Sequence, residues 1–263
     1  HVWIPIPSFT EYERALWNTN AKITWFPLKK EQDFCIGNEL SQAILEAVNQ
    51  PGKKQIPDLI VLCNPNNPNG KLIPHSIQKE LMELCKKYGI YLLIDECFLE
   101  LSGKLDWSAA ANISENPYIF VLDAFTKTYA MPGIRLGVGY SSNRALLETM
   151  QLQLPQWNVS GIAQIAGLKA LEEEAYVKEA VALIKTERRW LMDELKQLNC
   201  NVFSSDANYV LFQSVKDWKQ LLLKSQILIR DCQNYRGLTK GFYRVAVQTR
   251  EKNQQLIEAM RKE

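Results

Sequence analysis

Two histidines in 263 residues, and six scattered cysteines with no Cys-x-x-Cys pair, leave little from which to build a metal centre. No metal is expected, and Cys35, Cys63, Cys85, Cys97, Cys200 and Cys232 read as free thiols of a reducing cytoplasm. Charge of one sign is missing too. Lys plus Arg (31) against Asp plus Glu (29) leaves +2, which offers neither nucleic acid nor an anionic membrane an electrostatic footing. No apolar run approaches the roughly 18–20 residues that span a bilayer. The opening HVWIPIPSF lacks the basic start and small-residue cleavage site of a signal peptide. What the chain does have is 46% hydrophobic residues and seven tryptophans, enough for a sizeable core in one large or two smaller domains.

DLIVLC (58–63), IYLLID (90–95), YIFVL (118–122) and IRLGVGY (134–140) are short, almost continuously apolar runs. That pattern suits strands covered on both faces, as in a parallel sheet. VWIPI reads as a strand already in progress, so a portion of chain preceding it is expected. Between the first two runs, Ile77, Leu81, Leu84 and Tyr88 recur at helical spacing and Gly89 stands where a helix would end, which makes a βαβ unit. NELSQAILEAV (38–48) is a second amphipathic helix with Asn38 as its N-cap. Residues 143–200 read as helices broken near Pro155. CNVFSS, NYVLFQ and FYRVAVQ then alternate with helical DWKQLLLKSQ and REKNQQLIEAMRK. The expectation is an α/β fold of two parts: a mostly parallel-sheet domain over 1–154 and a smaller α+β domain over 155–263.

Ligands of open α/β sheets bind beyond the carboxyl ends of the strands. After DLIVLC comes Asn64-Pro-Asn-Asn-Pro-Asn-Gly70, seven turn-formers in succession, either an ordinary turn or a rigid loop with a further purpose. After IYLLI comes Asp95, a carboxylate that needs a cation or donor once desolvated: it caps, it pairs with an arginine, or it holds a protonated ring nitrogen. After YIFVLDAF come Thr126 and Lys127, with Arg135 eight residues on. A lysine becomes nucleophilic near neutral pH when desolvation or a neighbouring cation lowers its pKa, so Lys127 is expected inside a cleft between two buried runs.

In this order and at these strand ends, the motifs resemble the pyridoxal-phosphate enzymes of aminotransferase fold type I, over essentially the whole chain. The resemblance implies that Lys127 is the Schiff-base lysine and general acid or base. Asp95 would pair with the pyridine nitrogen of pyridoxal 5′-phosphate, and Asn67 would donate to its ring oxygen. Arg135 would hold the cofactor phosphate, with Thr126 beside it, and Phe9 of Pro7-Ser8-Phe9 would stack on the ring. The C-terminal ILIRDCQNYRGLTKGFYRVAVQ resembles the threonine-phosphate decarboxylases of cobalamin biosynthesis, and somewhat less the histidinol-phosphate aminotransferases. By that likeness Arg230 and Arg244 face a small phosphorylated amino-acid substrate, joined by Asn208 and Asn158. Phe98 stands where aminotransferases of this type usually carry a tyrosine. Ala124 replaces a hydroxyl residue, and the family's N-terminal segment has no counterpart in the chain. The implied activity is decarboxylation of O-phospho-L-threonine or a relative; the alternatives are transamination of the histidinol-phosphate type and a non-catalytic, cofactor-binding fragment. A cytoplasmic homodimer is implied as well.

Overall fold

The computed structural model describes residues 1–50 and 55–263. In chain order the first part comprises β1 (Val2–Ile6), α1 (Glu11–Leu16), β2 (Ile23–Pro27), α2 (Asn38–Asn49), β3 (Leu59–Cys63), α3 (His75–Tyr88), β4 (Tyr91–Asp95), β5 (Ile119–Ala124), α4 (Phe125–Thr128) and β6 (Gly137–Tyr140). α5 (Arg144–Gln153) follows, and the rest of the chain comprises α6 (Gly161–Ala170), α7 (Glu174–Gln197), β7 (Asn201–Val202), β8 (Tyr209–Gln213), α8 (Trp218–Leu223), β9 (Arg230–Asp231), β10 (Phe242–Ala246) and α9 (Arg250–Arg261).

Six strands form one sheet in the order β2-β1-β3-β4-β5-β6, parallel except for its last pair. Side chains alternate across it. Ile60, Leu62, Leu92 and Ile94 pack with Leu40 and Ile44 of α2 and with Leu81, Met82 and Cys85 of α3. Val2, Ile4 and Val61 pack on the other face with Tyr12 and Leu16 of α1. The chain leaves β1 for β2 on one side and returns to β3 on the other. That places a topological switch point between β1 and β3, the location where such sheets bind ligands.

The helices differ from their sequence expectation in detail. On α3 only Leu81 of the expected stripe is fully sealed. Gln78 is buried beside it, because its side chain accepts from Asn64 Nδ2 (2.8 Å) and donates to the Trp107 carbonyl (3.0 Å). Gly89 closes the helix as expected, at φ +70 with its N–H on the Cys85 carbonyl. The N-cap of α2 is Gly37, not Asn38, which is already helical.

The run at 134–140 departs further. Only 137–140 is a strand, and it is antiparallel to β5 and largely exposed. Of the twelve residues between β5 and β6 only the four of α4 are helical, covering about 6 Å, so no helix runs back along β5 as a parallel crossover would. Gly139 lets β6 close on β5: a Cβ there would meet the Phe120 ring at 2.6 Å.

The second sheet, β7-β8-β10-β9, is antiparallel. Leu191 and Leu195 of α7, Trp218 and Leu222 of α8, and Ile257 and Met260 of α9 cover one face, over Val210, Phe212 and Val245. Leu211 and Phe242 turn the other way, to Phe34, Phe203 and Tyr235, which joins this sheet to the first part of the chain. Among the described residues no helix is long and apolar enough to cross a membrane.

Candidate active site

The seven-residue loop after β3 is built from asparagines with separate duties. Asn64 donates to Gln78 and accepts from the Ile73 N–H (2.9 Å). Asn66 donates to the Pro7 carbonyl (3.0 Å) and to Asn69 Oδ1 (2.7 Å), and accepts from the Ser8 hydroxyl (3.1 Å). Asn69 donates to the carbonyls of Asp33 and Phe34. Gly70 sits at φ +75 against Ser205 and Ala207 of the segment leading into β8, where a Cβ would collide. The loop is therefore cross-braced to β1 and to the second sheet. Asn67 alone turns to the cavity. Its Oδ1 accepts from the Tyr235 hydroxyl (3.1 Å) and from Arg244 Nη1, and arginine can only donate, so the amide's NH2 is left for a ligand.

Asp95 ends β4, in register with Cys63 and Leu122. Its Oδ2 accepts from the Tyr12 hydroxyl at 2.6 Å and its Oδ1 from the Cys97 N–H at 3.0 Å. Burial pushes the neighbouring Cys63 and Cys97 thiols well up, and the Asp95 charge adds to that. Both are inert spectators of the site rather than nucleophiles.

Lys127, on α4, is exposed in this chain rather than enclosed, with Nζ 5.5 Å from the centre of the Phe98 ring. The run beyond it, expected to be buried, is the exposed β6, so only one side of the lysine is walled. Arg135 is also exposed, lies at φ +56 and donates to the Pro132 carbonyl (3.0 Å). A cavity of about 580 Å³ is lined by Phe9, Asn67, Asp95, Ala124, Thr126, Lys127 and Arg135 together, so every residue expected at the cofactor is brought to one place.

Arg230 and Arg244, fourteen residues apart in sequence, face each other in register across β9 and β10. Both line that cavity and a second one of about 550 Å³, which Lys127, Phe98 and Asn208 share. Arg230 donates to Asn234 and lies over the Tyr235 ring; Arg244 lies 4.9 Å over the Tyr209 ring. Asn208 Oδ1 is buried without a hydrogen-bond partner. Asn158 is exposed, in the turn between α5 and α6, and lines neither cavity.

The sequence gives no sign of Tyr12, and it marks Tyr235 only as lying between Arg230 and Arg244, with no role. Tyr12 lies in a short helix with no periodic signal, and its contact with Asp95 spans 83 residues. Tyr235 stands in a loop tied down by its neighbour Arg236, which pairs with Glu13 at 2.7 Å and lies 4.3 Å over Trp25.

A sheet of this topology, with an amine, a carboxylate, a free amide donor and a guanidinium around one cavity, defines a class of enzyme. The family model for aminotransferase class I and II matches residues 1–260, and the chain belongs to that family. It is 34% identical over 264 residues to the threonine-phosphate decarboxylase of Salmonella typhimurium, covering 98% of this chain and 69% of that protein. It is 28% identical to the histidinol-phosphate aminotransferase of Methanocaldococcus jannaschii, covering 98% and 67%. The crystal structure of the histidinol-phosphate aminotransferase from Clostridium acetobutylicum superimposes with a TM-score of 0.90 at 30% identity, covering 99% of this chain and 77% of that one. The protein is an enzyme, and its cofactor is pyridoxal 5′-phosphate. The donor set fits that group: an acid for a ring nitrogen, an NH2 for a ring oxygen, an amine for an aldehyde and a cation for a phosphate.

Proposed function

We propose that this enzyme decarboxylates an O-phosphorylated α-amino acid of the phosphothreonine kind to an amino-alcohol phosphate. One observation carries the reading. Arg230 and Arg244 are cross-strand neighbours, and like charges placed so repel. They share two cavities with Lys127: among the described residues the one of about 550 Å³ is lined by a further cation, Lys252, and by no carboxylate, while the carboxylates Asp95 and Glu11 line the other. A cavity with this excess suits a ligand with two anionic groups, a phosphate and a carboxylate, which guanidinium forks match bidentately. Histidinol phosphate itself carries only one, whereas the keto acid that a transaminase also binds carries two. The unpartnered Asn208 Oδ1 supports the same ligand, since it calls for a donor such as an amine or hydroxyl.

The cofactor, when bound, supplies an electron sink for the pair released as a bond at the substrate α-carbon breaks. The protein does the rest. Asp95, an acceptor held by two donors, would fix the ring nitrogen; Phe9 would cover the ring, and the Asn67 NH2 would reach its oxygen. Arg135 and Thr126 would take the phosphate, with Ala124 contributing no hydroxyl. Lys127 Nζ would bind the aldehyde carbon and later return a proton to the α-carbon. Phe98 offers no hydroxyl to the ring oxygen, which supports the lyase over the transaminase.

Transamination of the histidinol-phosphate kind is the second reading, favoured by the fold likeness at 30% identity. The cofactor-loaded protein is expected to release CO2 from O-phospho-L-threonine with no keto acid present. Turnover that needs 2-oxoglutarate and yields glutamate would overturn the lyase. A protein that takes up no cofactor and stays colourless would make the chain a non-catalytic module. We further infer a cytoplasmic homodimer. Leu152 (84% exposed), Trp157 (91%), Ile162 (73%) and Leu168 form an apolar surface around α5 and α6 that a second copy would cover.

A further inference from the structure

The Tyr12 phenol is the least expected feature of the site. It donates to Asp95 Oδ2 at 2.6 Å, and Phe9, the residue proposed to cover the cofactor ring, begins the same turn of chain. The Tyr12 N–H bonds to the Phe9 carbonyl (3.3 Å), and the two rings meet edge to face at 5.6 Å. One turn of backbone thus links the group over the ring to the group that orients the acid under its nitrogen. Burial raises the phenol well above its ordinary pKa, with Cys63 and Asp95 adding to the effect, so the hydroxyl keeps its proton and stays a donor.

We propose that Tyr12 is a positioning residue for the cofactor's ring nitrogen, acting through Asp95. With the Cys97 N–H on one carboxylate oxygen and the Tyr12 O–H on the other, the Asp95 plane cannot rotate freely. Tyr12 does not line the cavity, so it touches neither cofactor nor substrate. Its effect passes entirely through the acid, and the proposal rests on the assignment of Asp95 to the ring nitrogen.

The experiment uses the whole chain loaded with pyridoxal phosphate carrying nitrogen-15 in the ring. In Tyr12→Phe the ring-nitrogen resonance is expected to move toward its unprotonated position. The visible band should shift with it and kcat fall about 10- to 100-fold, the scale of one lost hydrogen bond to a charged group. KM should hold within about two-fold, because uniform binding is untouched. Tyr12→His, which returns an N–H donor, is expected to recover part of the resonance shift. A Tyr12→Phe enzyme with the parent's resonance and kcat overturns the proposal, as does one whose losses Tyr12→His cannot reduce. Should Tyr12→Phe not fold, 3-fluorotyrosine at position 12 keeps the shape and strengthens the donor. It should move the resonance measurably, and no movement overturns the proposal. Asp95→Asn runs alongside: if its resonance also equals the parent's, the assignment of Asp95 has failed, rather than the link from Tyr12.

Discussion

On one side of the cavity Asn64, Asn66 and Asn69 are sealed from solvent and every side-chain amide has a protein partner; on the other, Lys127 and Arg135 stand exposed beside an edge strand. The first wall lies at the centre of the parallel sheet, between β1, β3 and β4, and is braced to the second sheet through Gly70. The second hangs from β5, the last parallel strand, by a hairpin. Rigidity follows from position: central strand ends are surrounded by backbone with which to bond, whereas an edge has neighbours on one side only. On the function proposed above, Asn67 and Asp95 would hold the cofactor ring from the stiff wall, while the amine of Lys127 and the phosphate-holding Arg135 would stand on the open one.

The largest effect that would sharpen this contrast is chemical. Lys127→Ala should cost about 10²–10⁴-fold in activity and abolish the visible band of the bound cofactor. Its thermal unfolding should stay within a degree or two of the parent, since an exposed side chain is lost. On the stiff wall the balance should reverse. Asn66→Ala strands the Pro7 carbonyl, Asn69 Oδ1 and the Ser8 hydroxyl, and should cost about 2 kcal/mol of stability, seen as a lower denaturant midpoint at constant m. An unchanged midpoint would break the comparison.

A third effect lies just behind Asp95. Burial raises Glu96 from 4.5 to about 7, despite its bonds from the Ser108 hydroxyl and the Ala109 N–H. Between those values the folded chain holds a proton that the unfolded chain has lost. Stability is therefore fullest below about pH 4.5 and falls as pH rises toward 7, as far as this group is concerned. Glu96→Gln should flatten that fall by about 2 kcal/mol between about pH 5 and about pH 8, measured by denaturant unfolding of the cofactor-free protein. The smallest effect belongs to the open wall again. Arg135→Ala should leave stability within about 0.5 kcal/mol and weaken cofactor binding about ten-fold, by loss of one charge-assisted contact. Calorimetric titration of the apo-enzyme separates the two.

Much of this is legible in the amino-acid sequence. The strands β1, β3, β4 and β5 announced themselves because a strand covered on both faces must be apolar at nearly every position. Asp95, Asn67 and Lys127 stood out as polar residues directly after such runs. β2 was not recognised: ITWFP is a half-buried edge strand with no clear alternation. β9 is two residues long and exists only because β10 lies beside it. The apolar run through 140 misled because its residues are surface ones in this chain, and hydrophobicity alone does not say what covers a segment.

The order of the chemistry along the chain, acid after one strand, amine after the next and amide before both, is a property of the sequence, since short loops leave each residue at the end of its own strand. Local chain stiffness decides that much. Which face of α3 is sealed, that Asn67 rather than its three neighbours turns inward, that Arg230 and Arg244 sit side by side, and that Tyr12 reaches Asp95 were settled only by tertiary structure. Each depends on contacts between residues far apart in the chain, whose geometry is fixed by how sheets and helices pack rather than by any local preference.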